Sequence, residues 1–285
     1  MRYNLLRFPG GKIKAVTLSY DDGTASDKRL LEIINKYNLK CTFNLLGNKV
    51  EGEIDLSKKY IENEILAKGH EIANHGYNHR SLSKIRPIEG IRDTIDCRKV
   101  LEETFGIIVR GMAYPDNSVN RFTEPDTYKR VKSYLEELEI AYARCAGGDN
   151  DSFALPEDWL NWMPTAHHDN PKIMEYIDKF LSLDVSKLYH PNRTLKIFYM
   201  WGHAYEFDGN NNWEHLEDIC KKLSGKEDIW YATNIEIHDY VEAYKSLIQS
   251  EDGTIIYNPT LLDIWFDIDE TLYCIKPGET LKVAR

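Results

Sequence analysis

The residues most able to do chemistry are two aspartates and three histidines that lie at the ends of short apolar runs. Asp21 and Asp22 are adjacent, so they offer one metal ligand and one free base. His75 and His79 are four residues apart, and imidazoles at that spacing can meet on one side of a helical turn. This arrangement suits a single divalent metal ion. Together with His203, the set indicates a metal-dependent hydrolase.

Composition narrows the classes of protein and of partner. The chain has 285 residues, of which 42% are hydrophobic, enough for one sizeable core. Its formal net charge is −10, and no stretch is strongly basic, which argues against nucleic acid or an anionic membrane as partners. No run approaches the roughly 18 apolar residues of a membrane helix. The first residues lack the apolar core and cleavage site of a signal peptide, so we expect a cytoplasmic protein.

Short apolar runs alternate with longer helical patterns along most of the chain. The predicted strands are 15–19, 41–46, 70–74, 110–114, 140–144, 195–201 and 229–232. The predicted helices are 26–37, 57–68, 87–105, 125–139, 170–183, 213–223 and 234–249. About seven β/α units of this kind predict a parallel sheet. We therefore expect the α/β class and a distorted (β/α)7-type barrel, closed or nearly closed.

The last part of the chain has a different pattern. Short strand-like runs at 253–257, 261–268, 271–275 and 281–283 are separated by turn signals. This pattern predicts a small C-terminal antiparallel β appendage packed on the barrel. The expected domain division is therefore a barrel over 1–250 and an extension over 251–285.

The candidate residues follow different predicted strands but should converge. In a β/α barrel, the loops after the strands meet at one mouth, where the chemistry occurs. The residues in these loops or at these strand ends are Asp21, Asp22, His75, His79, Tyr114, Asp116, Arg144 and His203. The barrel and the candidate chemistry are inferred separately, and they agree on one site.

These motifs resemble those of the polysaccharide deacetylase family, also called the NodB-homology family of chitin-deacetylase-like carbohydrate esterases. The family motif Thr-Phe-Asp-Asp-Gly is similar to residues 19–23, and its His-x-x-x-His motif is similar to His75 and His79. Its last motif, an apolar strand that ends in histidine, is similar to 200–203. The resemblance spans about 12–248 and implies a distorted barrel of about seven strands with deacetylase activity.

One motif departs from the family pattern. The family usually carries Arg-Pro-Pro-Tyr-Gly after a strand, and here Ala113 stands where that arginine would be. In the family this arginine steadies the catalytic aspartate, here Asp21. We expect Arg144, at the end of the next strand, to replace it. Arg110 is the other candidate, although it should lie at the far end of the barrel, and a surface role for Arg144 is a third alternative.

The resemblance also implies roles for the residues at the mouth. Asp22, His75 and His79 would hold one divalent metal ion, with Zn²⁺ expected and Co²⁺, Ni²⁺ or Mn²⁺ as alternatives. Such an ion lowers the pKa of bound water to about 7 and polarises the acyl oxygen. Asp21 would then be the general base and His203 the general acid.

Four further residues are expected to bind substrate. A backbone N–H near Asp116 would stabilise the oxyanion by family analogy, and Tyr114 lies beside it. Trp162, or the tryptophan three residues before it, either walls the acetyl pocket or packs in the core. His167 or His168 contacts the substrate or steadies Asp21. An adjacent pair on a strand cannot face one point, and these two histidines are also the main rival metal ligands.

The predicted function is metal-dependent removal of acetyl groups from N-acetylated sugars or polysaccharides. This is hydrolysis of carbon–nitrogen bonds other than peptide bonds, with an acetylated carbohydrate as the partner. The alternatives are an O-acetyl esterase on xylan-type glycans and a non-catalytic glycan-binding relative. The missing motif arginine favours the last of these, but Asp21 and His203 argue against it because binding alone needs neither a base nor an acid.

Overall fold

The computed structural model describes residues 2–52, 55–116 and 126–283, and its strands and helices alternate along most of the chain. In chain order the strands are β1 (Asn4–Arg7), β2 (Lys14–Asp21), β3 (Cys41–Leu45), β4 (Glu71–Asn74), β5 (Gly111–Ala113), β6 (Tyr142–Arg144), β7 (Ala166–His167), β8 (Lys196–Gly202), β9 (Ile229–Tyr231), β10 (Ile248–Gln249), β11 (Ile255–Tyr257), β12 (Ile264–Ile268), β13 (Thr271–Ile275) and β14 (Thr280–Lys282). The helices are α1 (Asp27–Lys36), α2 (Gly47–Glu51), α3 (Lys58–Tyr60), α4 (Pro87–Phe105), α5 (Thr127–Glu137), α6 (Ile173–Ser182), α7 (Ala204–Gly209), α8 (Trp213–Leu223) and α9 (Asn234–Lys245). A π-helical turn, Ile61–Leu66, continues α3.

A curled parallel sheet forms the centre of the molecule. Its strand order is β6-β5-β4-β3-β2-β8-β7, and β9 also pairs with β2. All of these pairings are parallel. The predicted α/β barrel of about seven strands is confirmed.

One segment connects the two outer strands of this sheet. Trp162 forms a parallel bridge with Arg144 at the end of β6. Four residues later, β7 pairs with β8, placing Ala166 opposite Met200 and His167 opposite Trp201. The segment 162–167 therefore closes the barrel. The sequence did not predict β7, because two residues are too few to show a periodic pattern.

The central strand β2 is buried along its whole length, and its two faces differ in chemistry. Val16, Leu18 and Tyr20 belong to the cluster of apolar side chains shared with helices such as α1 and α8. Successive side chains of a strand point to opposite faces, so Ser19 and Asp21 face the interior of the barrel. Burial of the outer face thus fixes which aspartate points inward.

The C-terminal strands form two antiparallel sheets. Strand β12 pairs with β13 and with β1, and β11 pairs with β10 and β14. The helix expected over 234–249 ends at Lys245, because Ile248 and Gln249 pair with β11 instead. The predicted antiparallel appendage is confirmed, although the sequence did not predict β1 as part of it. The division at residue 250 stays a prediction.

The helices also bear on membrane association. Within the described ranges, none of them combines the length and apolar composition that crossing a bilayer requires.

A buried carboxyl group joins several strands at the floor of the barrel. Glu71 Oε1 accepts a hydrogen bond from the Tyr142 hydroxyl at 2.7 Å. Its Oε2 accepts from the Thr42 hydroxyl at 2.7 Å and from the Ile235 backbone N–H, in the first turn of α9, at 2.9 Å. Burial raises the pKa of Glu71 from 4.5 to about 7, although these donors act in the opposite direction.

We predict that this carboxyl makes stability depend on pH. The pKa of Glu71 is higher in the folded than in the unfolded state. Its contribution to the free energy of unfolding is therefore fully present below pH 4.5 and is lost as the pH rises through about 7. The free energy of unfolding should fall by about 2–3 kcal/mol between pH 5 and 8 on this account. Urea denaturation at both pH values should show a smaller fall for Glu71→Gln than for wild type. The exposed Glu137→Gln is the control, and an unchanged fall in Glu71→Gln would contradict the prediction.

Candidate active site

The predicted site residues lie at one end of the barrel. Asp21 is the last residue of β2, Arg144 is the last residue of β6, and His203 directly follows β8. His75 directly follows β4. Since these strands are parallel, their carboxyl ends meet at one mouth, as they do in β/α barrels generally.

Three of these side chains are grouped like the ligands of a metal ion. Asp22 Oδ1 lies 3.7 Å from His75 Nε2 and 3.8 Å from His79 Nε2. The three ligand atoms all lie within 4.8 Å of one another. Among the described residues, neither Asp22 Oδ1 nor His75 Nε2 has a hydrogen-bond partner, although both atoms are buried. Buried polar atoms are rarely left unpaired, so this group fits a bound cation.

The hydrogen bond on the far side of His75 determines its tautomer. His75 Nδ1 lies 3.0 Å from the carbonyl oxygen of Ala113 in β5. A carbonyl can only accept a hydrogen bond, so the proton is on Nδ1 and the Nε2 lone pair faces Asp22. Burial lowers the pKa of His75, although Asp21 and Asp22 act in the opposite direction. The ring is thus a neutral ligand, held in place as metal-binding histidines usually are.

The backbone around this group is not helical, so the two imidazoles do not meet on one side of a helical turn. Gly76 has φ 80° and His79 has φ 53°, both in the left-handed region. Asp93 in α4 holds this loop by accepting the N–H groups of Tyr77 at 3.1 Å and Asn78 at 2.9 Å. The two imidazoles still meet, with ring centroids 4.9 Å apart.

Asp21 has a different environment from Asp22. Its Oδ2 accepts a hydrogen bond from Arg144 Nη2 at 2.5 Å, and its Oδ1 accepts from Asn44 Nδ2 at 2.8 Å. Burial raises the pKa of Asp21, but the charge of Arg144 and its other neighbours outweigh it, so the pKa lies below its usual value. Both oxygens of Asp21 are therefore occupied and the group is ionised. The sequence analysis missed Asn44, whose only signal is a polar residue in the apolar strand β3.

Arg144 is buried and lies above an aromatic ring. Its guanidinium carbon is 4.3 Å from the centroid of Trp201, and only 1% of its side chain is exposed. The alternative of a surface role for Arg144 is therefore excluded. Arg110 precedes β5 and instead pairs with Asp239 of α9. It is placed away from Asp21, as expected from its position before the strand.

His203 faces Asp21 on one side and a glutamate on the other. Its Nε2 lies 3.9 Å from Asp21 Oδ2, and its Nδ1 lies 3.3 Å from Glu206 Oε2. Burial lowers the pKa of His203, but Glu206 and Asp21 outweigh it, so the net pKa is raised. Glu206 also accepts the backbone N–H of His203 at 3.0 Å and so caps α7. The sequence analysis missed Glu206, although its place three residues after the cap was a signal.

His167 and His168 lie on the other side of Glu206. His167 Nε2 is 3.1 Å and His168 Nε2 is 3.4 Å from the same oxygen, Oε2. The argument that adjacent histidines cannot face one point is therefore wrong here. It assumed a continuing strand, whereas β7 ends at His167 and His168 lies beyond it.

The residues expected to bind substrate are not all at the mouth. Trp162 is 1% exposed and packs on Tyr142 and Tyr199, with ring centroids 5.5 and 4.9 Å apart. Tyr114 is 4% exposed and donates its hydroxyl to a backbone carbonyl, Leu160 O, at 2.8 Å. Both side chains therefore lie in the core. For Trp162 this favours the packing alternative, and for Tyr114 it corrects the expectation that the side chain contacts substrate.

Other groups do border the mouth. Asp116 Oδ1 lies 3.6 Å from His79 Nδ1, and its side chain is 44% exposed. Trp201 is half-buried beside His203, with ring centroids 5.9 Å apart. Tyr205 is exposed, and its ring centroid lies 5.2 Å from that of His203. These two aromatic rings, rather than Trp162, border the candidate site.

Comparison with known proteins finds carbohydrate deacetylases. The sequence model described as polysaccharide deacetylase matches residues 6–138. This chain is therefore similar to that family over just under half of its length. The chain is 31% identical over 109 residues to a bifunctional xylanase/deacetylase of Pseudobutyrivibrio xylanivorans, covering 38% of this chain and 17% of the relative. It is 27% identical over 110 residues to a peptidoglycan-N-acetylglucosamine deacetylase of Listeria monocytogenes, covering 38% of this chain and 22% of the relative.

A solved structure shares the fold. Superposition on a peptidoglycan deacetylase of Bacillus subtilis gives a TM-score of 0.52 at 15% identity, over 84% of this chain and 96% of the other. At that identity the likeness concerns the fold alone. The matches also span less than a quarter of the length of the two curated relatives named above.

We predict that the effects of substituting Asp21 and Arg144 on the free energy of unfolding are coupled, because the two residues form a buried ion pair across the barrel. In Arg144→Met, a buried carboxylate loses its counter-charge, which should lower the free energy of unfolding by about 3–5 kcal/mol. In Asp21→Asn/Arg144→Met, no charge is stranded, so the loss should be well below the sum of the two single losses. Chemical denaturation of the four proteins measures this coupling.

The exposed pair Lys187–Asp184 provides the control for that experiment. Lys187→Met should change the free energy of unfolding by less than about 1 kcal/mol. Additive losses at Asp21 and Arg144 would show that the buried pair contributes no coupling.

Proposed function

We propose that the protein is a metal-dependent hydrolase that removes acetyl groups from N-acetylated sugars or polysaccharides. The observation that carries this proposal is the contrast between the two aspartates. Asp22 Oδ1 faces two imidazoles with no hydrogen bond of its own, whereas Asp21 is held by Arg144 and Asn44. These different environments suit a site in which one carboxylate binds a cation and its neighbour accepts a proton.

Asp22, His75 and His79 would hold the ion. When bound there, a Zn²⁺-like ion supplies a water of lowered pKa and polarises the acyl oxygen. Zn²⁺ suits a set of one carboxylate and two imidazoles, while Co²⁺, Ni²⁺ and Mn²⁺ bind similar ligands. Asp116, 3.6 Å from His79, is placed to steady the orientation of that ring.

Asp21 and His203 would transfer the protons. Asp21 Oδ2 accepts a proton from the attacking water, and Arg144 holds the carboxylate in position. His203 Nε2 then donates a proton to the leaving nitrogen, which otherwise could not depart as a neutral amine. Their facing atoms are 3.9 Å apart, so both can contact one tetrahedral centre.

The substrate side of the site would use backbone and aromatic groups. A backbone N–H near Asp116 would stabilise the developing oxyanion, as the family resemblance implies. Trp201 and Tyr205 would pack against a sugar ring, because each combines a large apolar face with a position beside His203.

One other activity has specific support. The relative from Pseudobutyrivibrio xylanivorans is named as a bifunctional xylanase/deacetylase, which favours an acetylated xylan as the second candidate substrate. The same residues would release acetate from an ester, whose leaving alkoxide also takes a proton from His203. The test is acetate release by the zinc-loaded protein from N-acetylglucosamine oligomers, peptidoglycan fragments and acetylated xylan. Tight glycan binding without acetate release would favour the non-catalytic alternative.

The cytoplasmic location stays a prediction. Fractionation of cells that produce the protein, followed by immunodetection, tests it.

We predict that His75 and His79 are required for metal binding beside Asp22. With free zinc buffered in the nanomolar range, wild type should bind one zinc per chain and His75→Ala/His79→Ala none. The loss should exceed the roughly 10–100-fold that removal of an outer partner costs, because two direct ligands are lost. The control is His190→Ala, which removes a histidine paired with Asp267 elsewhere. Full zinc in the double variant would move the assignment to His167 or His168.

We predict that Asp21 and His203 act in turnover but not in metal binding. Asp21→Asn and His203→Ala should each keep zinc and substrate affinity, while kcat falls by about 10²–10⁴. Activity requires protonated His203, so it should decline as pH rises through a pKa above the usual 6.5, and His203→Ala should lose that decline. Zinc analysis, substrate binding and pH profiles measure these effects. Loss of zinc from Asp21→Asn would show that the two aspartates exchange roles.

A further inference from the structure

A second group of potential ligands lies beside the first and shares none of its members. Glu206 Oε2 is 3.1 Å from His167 Nε2 and 3.3 Å from His203 Nδ1. The three residues offer ligand atoms that all lie within 4.8 Å of one another. His168 Nε2 lies 3.4 Å from the same carboxylate oxygen. Three imidazoles thus surround one carboxylate.

Several nitrogens of this cluster are buried without a partner. Within the described part of the chain, three ring nitrogens have no hydrogen bond: both nitrogens of His168 and Nδ1 of His203. His168 is fully buried. A fully buried imidazole with no hydrogen-bond partner is unusual in a folded protein. Its free lone pair is available to a cation.

Two of the three separations also match those around a tetrahedral metal ion. Zinc–nitrogen and zinc–oxygen bonds of about 2.0–2.1 Å place neighbouring ligand atoms about 3.3–3.4 Å apart. The Glu206–His203 and Glu206–His168 distances are 3.3 and 3.4 Å, whereas the Glu206–His167 distance is 3.1 Å. His167 Nδ1 accepts the backbone N–H of Asp169 at 3.2 Å, so the proton of this ring is on Nε2 and a bound ion would displace it. A direct hydrogen bond between a charged imidazole and a carboxylate would be shorter, about 2.7–2.9 Å.

We propose that His167, His203 and Glu206 form a second site for a divalent cation of the Zn²⁺ type, with His168 at its buried side. It should bind more weakly than the Asp22 site, because Glu206 already accepts the backbone N–H of His203. Occupancy of the site would inhibit hydrolysis. An ion on Nδ1 leaves His203 with a single proton, on Nε2, so the ring no longer holds the additional proton that makes it an acid. The inhibitory effect rests on the proposed function, whereas the binding of the ion does not.

The test counts ions on the metal-depleted protein. Zinc titration by calorimetry, in the micromolar range of free zinc, should give two equivalents for wild type and one for Glu206→Gln or His167→Gln. Glutamine at 206 still caps α7, and circular dichroism of both variants checks their folding. His75→Ala/His79→Ala should retain one equivalent, which separates this site from the first. His190→Gln is the control and should bind two.

Cobalt and activity provide two further readouts. The second equivalent of Co²⁺ should add visible absorption of a tetrahedral ion in wild type but not in Glu206→Gln. Excess zinc should lower acetate release by wild type by up to about 10²–10⁴-fold, the contribution of a positioned acid, and should leave the residual rate of Glu206→Gln unaffected. A single equivalent in wild type up to millimolar zinc, or two equivalents in both Glu206→Gln and His167→Gln, would overturn the proposal. An inactive protein that still binds the second ion at Glu206 would count against the proposed function alone.

Discussion

The buried ion pair between Asp21 and Arg144 is the constraint on which the rest of the site depends. It joins β2 to β6, two strands separated by β3, β4 and β5 in the sheet order, so it spans the interior of the barrel. Removing both charges from water costs several kcal/mol per ion, and only close contact with added hydrogen bonds recovers it. Asn44 donates such a hydrogen bond to Asp21, and the ring of Trp201 lies against the guanidinium. Among the described residues, Arg144 Nε and Nη1 have no hydrogen-bond partner. The pair also removes Asp21 from competition for a cation.

Two adjacent carboxylates thereby acquire different chemistry. The alternation of β2 points Asp21 into the barrel, and the left-handed backbone of Asp22, with φ 80°, turns the chain outside the strand. Non-glycine residues adopt that conformation at a cost, and such residues concentrate at functional sites. Asp22 then faces the loop of His75 and His79, which Asp93 of α4 holds from behind. Packing of the helices against the sheet therefore determines the ligand geometry.

The sequence predicted the parts of the structure that have strong local patterns. Periodic strands and helices predicted the barrel. The family resemblance, together with the place of Arg144 at a strand end, predicted that Arg144 would lie near Asp21. Contacts that depend on distant residues were not predictable. Strand β1 is too short to show a pattern and is identified only by its pairing with β12. Gly76 and His79 have left-handed backbone conformations and place the two histidines in a loop rather than a helical turn. Trp162 lies in the core because it bridges to β6. The place of Glu206 three residues after His203 was a signal for a helix cap, but its contacts with three imidazoles follow only from where α7 places it.

The position of β2 in the sheet has a consequence for synthesis of the protein on the ribosome. One edge of this buried strand pairs with β3, which follows soon after, but the other edge pairs with β8, at Lys196–Gly202. At about 5–20 residues per second, roughly 10–40 s pass between the two strands. During this interval the nascent chain carries an apolar strand with open hydrogen-bonding groups, which invites pairing with other chains. Slower translation lengthens this exposure, whereas a chaperone that covers the strand removes it.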